Sequence, residues 1–241
     1  MQLALDIGNS RIKWGLRHQG RWHAVGAMQT SDWPLLENIL QEHSPLSGAL
    51  ATQVAGFSVA TGIAGCCARY GVSLRWIDGT VSTPGMRNGY DNPQQLGADR
   101  WAALIGARTL AQTPVVVINA GTATTIDALD SSGNFLGGMI LPGLSLMQQA
   151  LHGGTATLSA FSGGIFAPFP RNTQDAIASG IIAATVGAAE QLANVLQLRE
   201  NRDIRYVLSG GHYKEIQAHL PRPVTAVEFL VLEGLACLMG D

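Results

Sequence analysis

The sequence predicts an α/β protein that consists of two similar lobes, one in each half of its 241 residues. In both halves an apolar strand runs into a short glycine turn, at Gly8 in the first half and at Gly121 in the second. A second strand follows each turn, and a further turn then leads into a third strand. The two patterns lie 113 residues apart, from Gly8 to Gly121. This repetition indicates a duplicated lobe.

Local patterns predict the elements of the first half. Thr30, Ser31 and Asp32 are typical helix-capping residues and predict a helix from Trp33 to His43. An irregular stretch from 78 to 100 is dense in Gly, Pro, Asn and Asp, and loops of that length are usually functional. A helix follows this stretch directly. The other expected elements are strands at 2–8, 11–17, 21–28, 48–52 and 72–77 and a helix at 58–70.

The second half repeats the three-stranded meander. Pro142 and Gly143 are expected to open a helix, and a Gly- and Pro-rich loop covers 153–171. A helix of small residues, a strand at RYVLS with a Gly-Gly turn, and a terminal helix complete the chain. The meander strands are expected at 114–120, 123–130 and 134–140. We place the lobe boundary so that residues 1–112 form the first lobe and residues 113–241 the second.

Composition excludes several classes of protein. Hydrophobic residues make up 46% of the chain and charged residues 13%, so long disordered stretches are not expected. The net charge of −2 gives no bulk reason to expect a nucleic acid or an anionic membrane as a partner. The longest apolar candidate, at 176–189, is shorter than the ~18 residues of a membrane helix. We therefore expect a soluble, cytoplasmic protein.

The first glycine turn carries residues that suit phosphate binding. Gly8 lets the backbone approach an anion closely because it has no side chain. Asn9 and Ser10 offer hydrogen-bond donors, and Lys13 adds a positive charge. Asp6, at the end of a buried strand, suits Mg²⁺ either directly or through water. The alternative is a plain hairpin turn in which Lys13 points into solvent.

The second turn favours the phosphate interpretation. The hydroxyls and backbone N–H groups of Gly121, Thr122 and Thr124 suit another phosphate contact, although a simple core turn would also place threonines at strand ends. Neither GxxxxGK[ST] nor GxGxxG follows a strand, so no Walker A loop or dinucleotide fingerprint is predicted. Two such turns facing each other across a cleft would hold a chain of phosphates. This pattern indicates an ATP-using enzyme of the actin-like, two-lobed class.

Other candidate residues lie at the ends of predicted elements. Asp99 either caps the helix that follows it or accepts the proton of an attacking hydroxyl, in which case Arg100 would hold an anionic group. Thr173 either caps a helix together with Asn172 or contacts a small polar substrate. Tyr90 either anchors a lid over the site or offers its own hydroxyl to a substrate. Ser209, Gly210 and Gly211 either form a plain turn at the end of a strand or allow a flat nucleoside to approach the backbone closely.

Together, the segments DIGNSRIK, GADR, GTATTID, GGMILPG, NTQDAIASG and the late SGG resemble the type III pantothenate kinases over nearly the whole chain. The resemblance implies two duplicated ribonuclease-H-like (actin-like ATPase) lobes with mixed five-stranded sheets flanked by helices. It also implies a homodimer that transfers the γ-phosphoryl group of ATP, used with Mg²⁺, to the primary hydroxyl of pantothenate. That transfer is the first step of coenzyme A biosynthesis.

The resemblance further implies roles for individual residues. Asp99 matches the family's general base, Asp6 the Mg²⁺ position and Thr122 an ATP contact. The family's K⁺ or NH₄⁺ site is attached to an aspartate that this chain replaces with Asn119, so only a weak cation site is expected there. The ATP loop comprises Asp6, Ile7, Gly8, Asn9, Ser10, Arg11, Ile12 and Lys13. The pantothenate pocket comprises Tyr90, Gly97, Ala98, Asp99, Arg100 and Thr173, the last near the dimer interface.

Two alternative functions stay open at this point. One is a kinase for another small hydroxyl acceptor on the same fold, and the other is a non-catalytic nucleotide-binding regulator. The presence of Asp6, Lys13 and Asp99 argues against a regulator, because a sensor needs no general base. The near-neutral charge and the lack of a helix-turn-helix pattern argue against direct DNA binding. The first lobe is expected to carry the ATP loop and the base, and the second the nucleoside and dimer contacts.

Overall fold

The computed structural model describes residues 1–111, 114–154 and 163–239. The chain forms two compact units. Unit 1 consists of Met1–Leu110 together with the C-terminal segment that begins at Phe229, and unit 2 covers Ala111–Glu228. Residues 112 and 113, at which the sequence analysis divides the lobes, lie outside the described residues.

Unit 1 is built on a mixed five-stranded sheet in the order β3-β2-β1-β4-β5. Strand β1 pairs antiparallel with β2 and parallel with β4, and β4 pairs parallel with β5. The strands are β1 Gln2–Ile7, β2 Arg11–His18, β3 Arg21–Gln29, β4 Gly48–Gln53 and β5 Leu74–Trp76, with a short β6 at Arg87–Asn88. The helices of this part of the chain are α1 Leu36–His43, α2 Phe57–Arg69 and α3 Ala98–Leu110, with 3₁₀ helices at Thr30–Leu35 and Pro93–Gln95.

Strand β1 is the centre of this sheet because its sequence, QLALDI, is an almost continuous apolar run. A strand with neighbours on both edges and helices on its faces has no solvent side, so it does not alternate between polar and apolar residues. Leu3, Leu5 and Ile7 are fully buried, and Asp6 is the single carboxylate within the strand. The strand therefore carries one charged group into the interior, at its carboxyl end.

Unit 2 repeats this arrangement. Its strands follow one another in the order β9-β8-β7-β10-β11, with the first two pairs antiparallel and the other two parallel. The strands are β7 Val115–Ala120, β8 Ala123–Leu129, β9 Asn134–Pro142, β10 Arg205–Ser209 and β11 Val224–Ala226. The helices are α4 Leu144–Gly154, α5 Thr173–Glu200 and α6 Tyr213–Gln217. The same order of strands in both units confirms the predicted duplication and its fold class.

The structure differs from the predicted lobes at the C-terminus. Helix α7 (Leu230–Met239) belongs to unit 1, whereas the sequence analysis assigned residues 113–241 to the second lobe. The reason is close packing of α7 on α3 at two glycines. A Cβ on Gly234 would overlap the Ala102 carbonyl, and one on Gly106 would lie 2.7 Å from the Leu230 carbonyl oxygen. This contact joins segments far apart in sequence, so local patterns do not reveal it.

Two further expectations need correction. The predicted helix from Trp33 to His43 is a 3₁₀ helix at Thr30–Leu35 followed by α1, and no side chain caps either of them. Among the described residues, α5 is long and apolar enough to cross a membrane by length and composition alone, with a mean hydropathy of 1.4 over its most apolar window. The expectation that no segment reaches that length is therefore wrong, because the helix extends beyond the predicted run 176–189 on both sides, from Thr173 to Glu200. A core helix of a water-soluble protein passes the same test.

Candidate active site

The first glycine turn joins β1 to β2 and is fixed by three hydrogen bonds. The Gly8 N–H donates to the Arg11 carbonyl at 3.1 Å, which closes the turn. The Thr30 hydroxyl donates to the Gly8 carbonyl at 2.7 Å, and the Thr30 N–H donates to the Ser10 carbonyl at 3.1 Å. Thr30 therefore holds this turn instead of capping a helix. Asn9 and Ser10 are exposed at the tip of the turn.

The two charged side chains next to this turn, Asp6 and Lys13, pair with each other and are largely shielded from solvent. Asp6 is 6% exposed and lies directly opposite Lys13 on β2 and Thr52 on β4. Lys13 Nζ lies 3.1 Å from Asp6 Oδ2, and the Thr52 hydroxyl donates to Asp6 Oδ1 at 3.2 Å. A buried carboxylate requires such partners, because removing a charge from water is costly. The turn is thus a hairpin, as the alternative interpretation holds, but Lys13 does not point into bulk solvent.

Asp99 lies in the first turn of α3, which starts at Ala98. Burial raises the pKa of the Asp99 carboxyl above its usual range, and the negative charge of Asp6 raises that pKa further. The Arg100 N–H donates to Asp99 Oδ1 at 2.9 Å and opposes the shift in part. Asp6 and Asp99 both belong to unit 1. A raised pKa strengthens a carboxylate as a proton acceptor, which a general base requires.

The residue before α3 makes room for this carboxylate. A Cβ on Gly97 would lie 2.7 Å from Asp99 Oδ1, closer than such atoms approach in proteins. The Trp101 N–H donates to the Gly97 carbonyl at 3.0 Å, which places Gly97 at the start of the helix. Asp99 is therefore within the first turn and does not occupy the capping position itself. The Asp99 carboxylate nevertheless accepts from the Arg100 N–H of the first turn, so it also serves the start of the helix. Its role as proton acceptor stays a prediction.

Arg100, which follows Asp99 in the sequence, is buried and pairs with the half-buried Tyr90. Arg100 is 5% exposed, and its Nη1 donates to the Tyr90 hydroxyl at 2.9 Å. The Arg100 guanidinium also lies 5.6 Å from the centre of the Tyr90 ring. Asn88 orders the loop that carries Tyr90, since its Nδ2 donates to the carbonyl oxygens of Gly79 and Pro93 at 2.9 and 3.1 Å. A cation held in this way suits an anionic group of a substrate.

The second glycine turn, in unit 2, is enclosed by backbone from two other segments. The Gly143 N–H donates to the Thr122 carbonyl at 2.9 Å, and the His212 N–H donates to the Ala120 carbonyl at 3.0 Å. A Cβ on Gly143 or on Gly210 would overlap backbone atoms of the turn and its strand, and Gly210 has φ +101°. Thr122 is exposed. Thr124 is fully buried, and among the described residues its hydroxyl lacks a hydrogen-bond partner.

Asn119 lies near the end of β7, between two hydroxyl-bearing neighbours. It pairs with Thr125 on β8 and with Ser209 on β10. Amide and hydroxyl oxygens are suitable ligands for K⁺. The Asn119 side chain is an amide, so it brings no negative charge to such a site. In the part of the chain that the structure describes, no group of three or more His, Cys, Asp or Glu could hold a metal ion.

Thr173 is the first residue of α5, and Asn172 caps that helix. Asn172 Oδ1 accepts from the Asp175 N–H at 2.9 Å, as the capping interpretation predicts. Thr173 is half-buried and lines an apolar groove of about 680 Å³ together with Met147, Ala150 and Leu151 of α4. Thr173 is thus free of the capping role and available to a ligand or a partner on this groove.

In unit 1 the structure pairs Lys13 with Asp6 and Arg100 with Tyr90, and Asp99 belongs to the same unit. In unit 2 it pairs Asn119 with Ser209, and Thr122 belongs to that unit. Thr173 lies elsewhere in unit 2. Sequence reasoning missed Thr30 as the holder of the first turn and Thr52 as the second partner of Asp6. Both contacts depend on how distant strands pair, so no local pattern reports them.

A model of the type III pantothenate kinase family matches residues 2–195 of this sequence. Similarity to individual proteins extends over the whole chain. A type III pantothenate kinase from Aromatoleum aromaticum is 45% identical over 241 residues, which cover all of this chain and 98% of that protein. The chain belongs to the type III pantothenate kinase family. A second relative of that name, from Azoarcus sp. strain BH72, is 42% identical over 99% of this chain and 90% of its own.

Solved structures confirm the actin-like fold of this pantothenate kinase family member. A Campylobacter jejuni protein described as a Baf family transcriptional activator has a TM-score of 0.61 at 19% identity and covers 97% of this chain and 94% of its own. A Sinorhizobium meliloti protein described as a 2-dehydro-3-deoxygalactonokinase has a TM-score of 0.62 at 14% identity, with coverage of 99% and 97%. At these identities the likeness concerns the fold alone.

Proposed function

We propose that this protein phosphorylates pantothenate to 4′-phosphopantothenate at the expense of ATP, the first step of coenzyme A biosynthesis. Two facts support the proposal. The chain belongs to the type III pantothenate kinase family. In addition, Asp99 is a buried carboxylate whose pKa is raised by burial and by Asp6. The single observation that carries the mechanism is this carboxylate, because phosphoryl transfer to an alcohol needs a group that accepts the hydroxyl proton.

The reaction that we propose is an in-line displacement. Asp99 accepts the proton of the pantothenate primary hydroxyl while that oxygen forms a bond to the γ-phosphorus. The bond between the γ-phosphorus and the bridging oxygen breaks, and ADP leaves. Positioned general-base help of this kind is worth roughly 10²- to 10⁴-fold in rate. The fixed helix start at Gly97 and Ala98 supports the positioning, because it holds the Asp99 backbone in place.

We assign the ATP phosphates to the first turn, from Asp6 to Lys13, with Thr122 as a separate ATP contact in unit 2. Lys13 supplies a positive charge, and the backbone at Gly8 to Ser10 supplies donors. Kinases generally use ATP together with Mg²⁺, which when bound neutralises charge on the phosphate oxygens. The Asp6 carboxylate fits this ion, since Mg²⁺ prefers oxygen ligands and keeps several waters. Only one protein carboxylate is needed for such a site.

We assign pantothenate to the pocket formed by Tyr90, Gly97, Ala98, Asp99 and Arg100. Pantothenate carries one carboxylate, and Arg100 is a buried cation whose position is held by the Tyr90 hydroxyl at 2.9 Å. A guanidinium binds a carboxylate with two parallel hydrogen bonds. We assign Thr173 to a further pantothenate contact, since it is half-buried and free of the capping role.

Four further properties belong to this proposal. The cation site at Asn119 is weak, because an amide carries no negative charge, so dependence on K⁺ or NH₄⁺ is small. The protein forms a homodimer, for which the apolar groove beside Thr173 is the candidate contact surface. The enzyme works in the cytoplasm. Unit 1 supplies the phosphate loop and the base, and unit 2 the second turn and the nucleoside contacts.

The proposal is tested by measuring ADP release from Mg-ATP with pantothenate, a panel of sugars, acetate, or no acceptor. We expect ADP release that depends on pantothenate, and a product whose mass equals pantothenate plus one phosphoryl group. Release with a sugar or acetate instead would favour the kinase for another acceptor. Nucleotide binding without turnover on any acceptor would favour the regulator.

A further inference from the structure

Three polar side chains of unit 2 form a hydrogen-bonded chain that the proposed phosphoryl transfer does not use. Ser145 Oγ lies 3.1 Å from His212 Nε2, and His212 Nδ1 lies 3.2 Å from Glu215 Oε1. All three line one cavity of about 410 Å³. Ser145 is in the first turn of α4, and the other two lie at the start of α6.

The partners of His212 determine its tautomer. An ionised carboxylate only accepts hydrogen bonds, so Nδ1 carries the hydrogen that His212 shares with Glu215. In the neutral ring, Nε2 is then an acceptor, and the Ser145 hydroxyl donates to it. Each link fixes the next, so the Glu215 carboxylate is oriented by a ring that is itself held at both nitrogens. Glu215 retains a second carboxylate oxygen, and its side chain is 50% exposed, so a ligand can reach it.

The cavity begins beside the second glycine turn. Gly143 and Gly210 pack against the backbone of that turn so closely that neither tolerates a Cβ. Ser145 follows Gly143 by two residues, and His212 follows Gly210 by two. The segments that carry Ser145 and His212 are thus the ones that enclose this turn, since the Gly143 N–H donates to the Thr122 carbonyl and the His212 N–H to the Ala120 carbonyl. This makes the cavity a candidate position for the nucleoside of a nucleotide that contacts Thr122.

The lining of the cavity suits a nucleoside. Apolar side chains from α5, among them Ile177 and Ile181, supply a surface for a flat base. Gln148 and His219 add hydrogen-bonding groups beside the chain formed by Ser145, His212 and Glu215. Pockets for small ligands combine such apolar walls with a few fixed polar groups, and their volumes are roughly 300 to 1,000 Å³.

We propose that Glu215 accepts a hydrogen bond from a ribose hydroxyl of the bound nucleotide, and that His212 and Ser145 position its carboxylate for this contact. A carboxylate in a dinucleotide-binding fold reads the ribose in the same chemical way. The inference rests on the proposed function, which assigns the nucleoside of ATP to unit 2. It makes Glu215 the residue that distinguishes ribonucleotides from nucleotides that lack ribose hydroxyls.

The test is calorimetric titration of ADP and of 2′,3′-dideoxyADP into the full-length protein, with Mg²⁺ and without pantothenate. We expect the wild type to bind ADP about 10-fold more tightly than the dideoxy analogue, since hydrogen bonds to charged groups are worth roughly that much. In Glu215→Gln this preference should fall to about 2-fold or less, because a neutral amide is a weaker acceptor. Ser145→Ala, which keeps the carboxylate but frees the ring, should show an intermediate preference.

Asp203→Asn is the matched control, because it removes a carboxylate from an exposed position of unit 2 and should keep the full preference. An equal preference in the wild type and in Glu215→Gln, or no preference in the wild type, overturns the inference. So does a wild type that fails to bind ADP. These measurements report nucleotide binding and do not require turnover. A protein that binds both nucleotides as expected but never phosphorylates pantothenate would contradict the proposed function and leave this inference intact.

Discussion

Lys13 Nζ lies 3.1 Å from Asp6 Oδ2, across a strand pair in which the two residues are direct neighbours. The pair places one positive and one negative charge at the end of the central strand of unit 1, next to the turn at Gly8. In the proposed reaction both charges have a partner on Mg-ATP, the lysine on a phosphate and the aspartate on the ion. The turn, its lysine and its aspartate thus form one unit, and each part can be tested by substitution.

Lys13→Met should chiefly impair the use of ATP. We expect the KM for ATP to rise about 10-fold or more, because a charge-assisted contact to phosphate is lost. Asp6 would also lose its charged partner, so the free energy of unfolding should fall by roughly 1–3 kcal/mol. Steady-state kinetics and urea unfolding measure the two effects. Arg69→Gln, which removes an exposed cation, is the control, and an unchanged KM for ATP in Lys13→Met would rule out its phosphate role.

The pH dependence of kcat/KM for pantothenate should report the raised pKa of Asp99, because this ratio reflects the enzyme before pantothenate binds. The base must be ionised, so activity should fall on the acidic side at a pH above the ordinary carboxyl value of 3.8. A kcat/KM that begins to fall only at or below pH 3.8 would contradict the assignment, provided that the protein remains folded there. Circular dichroism over the same range provides that check.

Ionisation of Asp99, which the reaction needs, should lower the stability of the folded protein. Because the pKa of this carboxyl is raised on folding, the folded protein binds its proton more tightly than the unfolded chain does. The stability that the protonated form contributes is present at low pH and is lost as the pH rises through the folded-state pKa. Asp99→Asn removes this loss, so its Tm at pH 7 should equal or exceed that of the wild type. Thermal unfolding measures this, and a clearly lower Tm would mean that the Asp99 charge is stabilising.

Tyr90→Phe tests the pantothenate pocket. The change removes the hydroxyl that accepts from Arg100 and keeps the ring beside the guanidinium. We expect the KM for pantothenate to rise about 3- to 10-fold, since one hydrogen bond to a charged group is lost, while the KM for ATP stays constant. Tyr70→Phe is the control, because its hydroxyl donates to Glu37 and has no role in the reaction. An effect on ATP alone would move Tyr90 out of the pantothenate pocket.

Asn119→Asp tests the cation site. The substitution restores a negative charge between Thr125 and Ser209, so K⁺ should stimulate the variant more than it stimulates the wild type. Rates in Na⁺ buffer with and without added K⁺ measure the difference. Asn38→Asp, at an exposed position of unit 1, should leave the response to K⁺ as it is. Equal responses in all three proteins would remove Asn119 from any cation site.

Gly210→Ala and Gly211→Ala form a matched pair for the second turn. Gly210 has φ +101° and packs on the backbone of Ala120, whereas a Cβ on Gly211 meets nothing within 4 Å. A strained backbone of this kind costs roughly 1–3 kcal/mol, and the overlap adds to it. We expect Gly210→Ala to lower stability and weaken ADP binding, and Gly211→Ala to do neither. Similar behaviour of the two variants would contradict the enclosed turn.

The three-stranded meanders and their glycine turns could be predicted because each depends on neighbours in sequence. Strand, turn and strand follow one another, and Gly8 and Gly121 mark the turns. Asp99 and Arg100 could be singled out in the same way, since they stand between an irregular loop and an apolar helix. These residues supply the carboxylate and the cation of the candidate site.

Long-range contacts could not be predicted in this way. Thr52 reaches Asp6 only because β4 pairs with β1, and Thr30 holds the turn at Gly8 from 22 residues away. Helix α7 joins unit 1 through Gly234, whose lack of a side chain matters only where α3 lies against it. Short elements such as β11 and α6 have too few residues to show a clear hydrophobic periodicity in the sequence.

The most direct test of the account is kcat for pantothenate-dependent ADP release by Asp99→Asn, measured beside the wild type with saturating Mg-ATP. The variant keeps the acceptor for the Arg100 N–H but cannot take a proton. We predict a fall in kcat of at least about 100-fold with ADP affinity nearly unchanged. A fall of less than about 10-fold, with the wild type active, would show that Asp99 is not the general base.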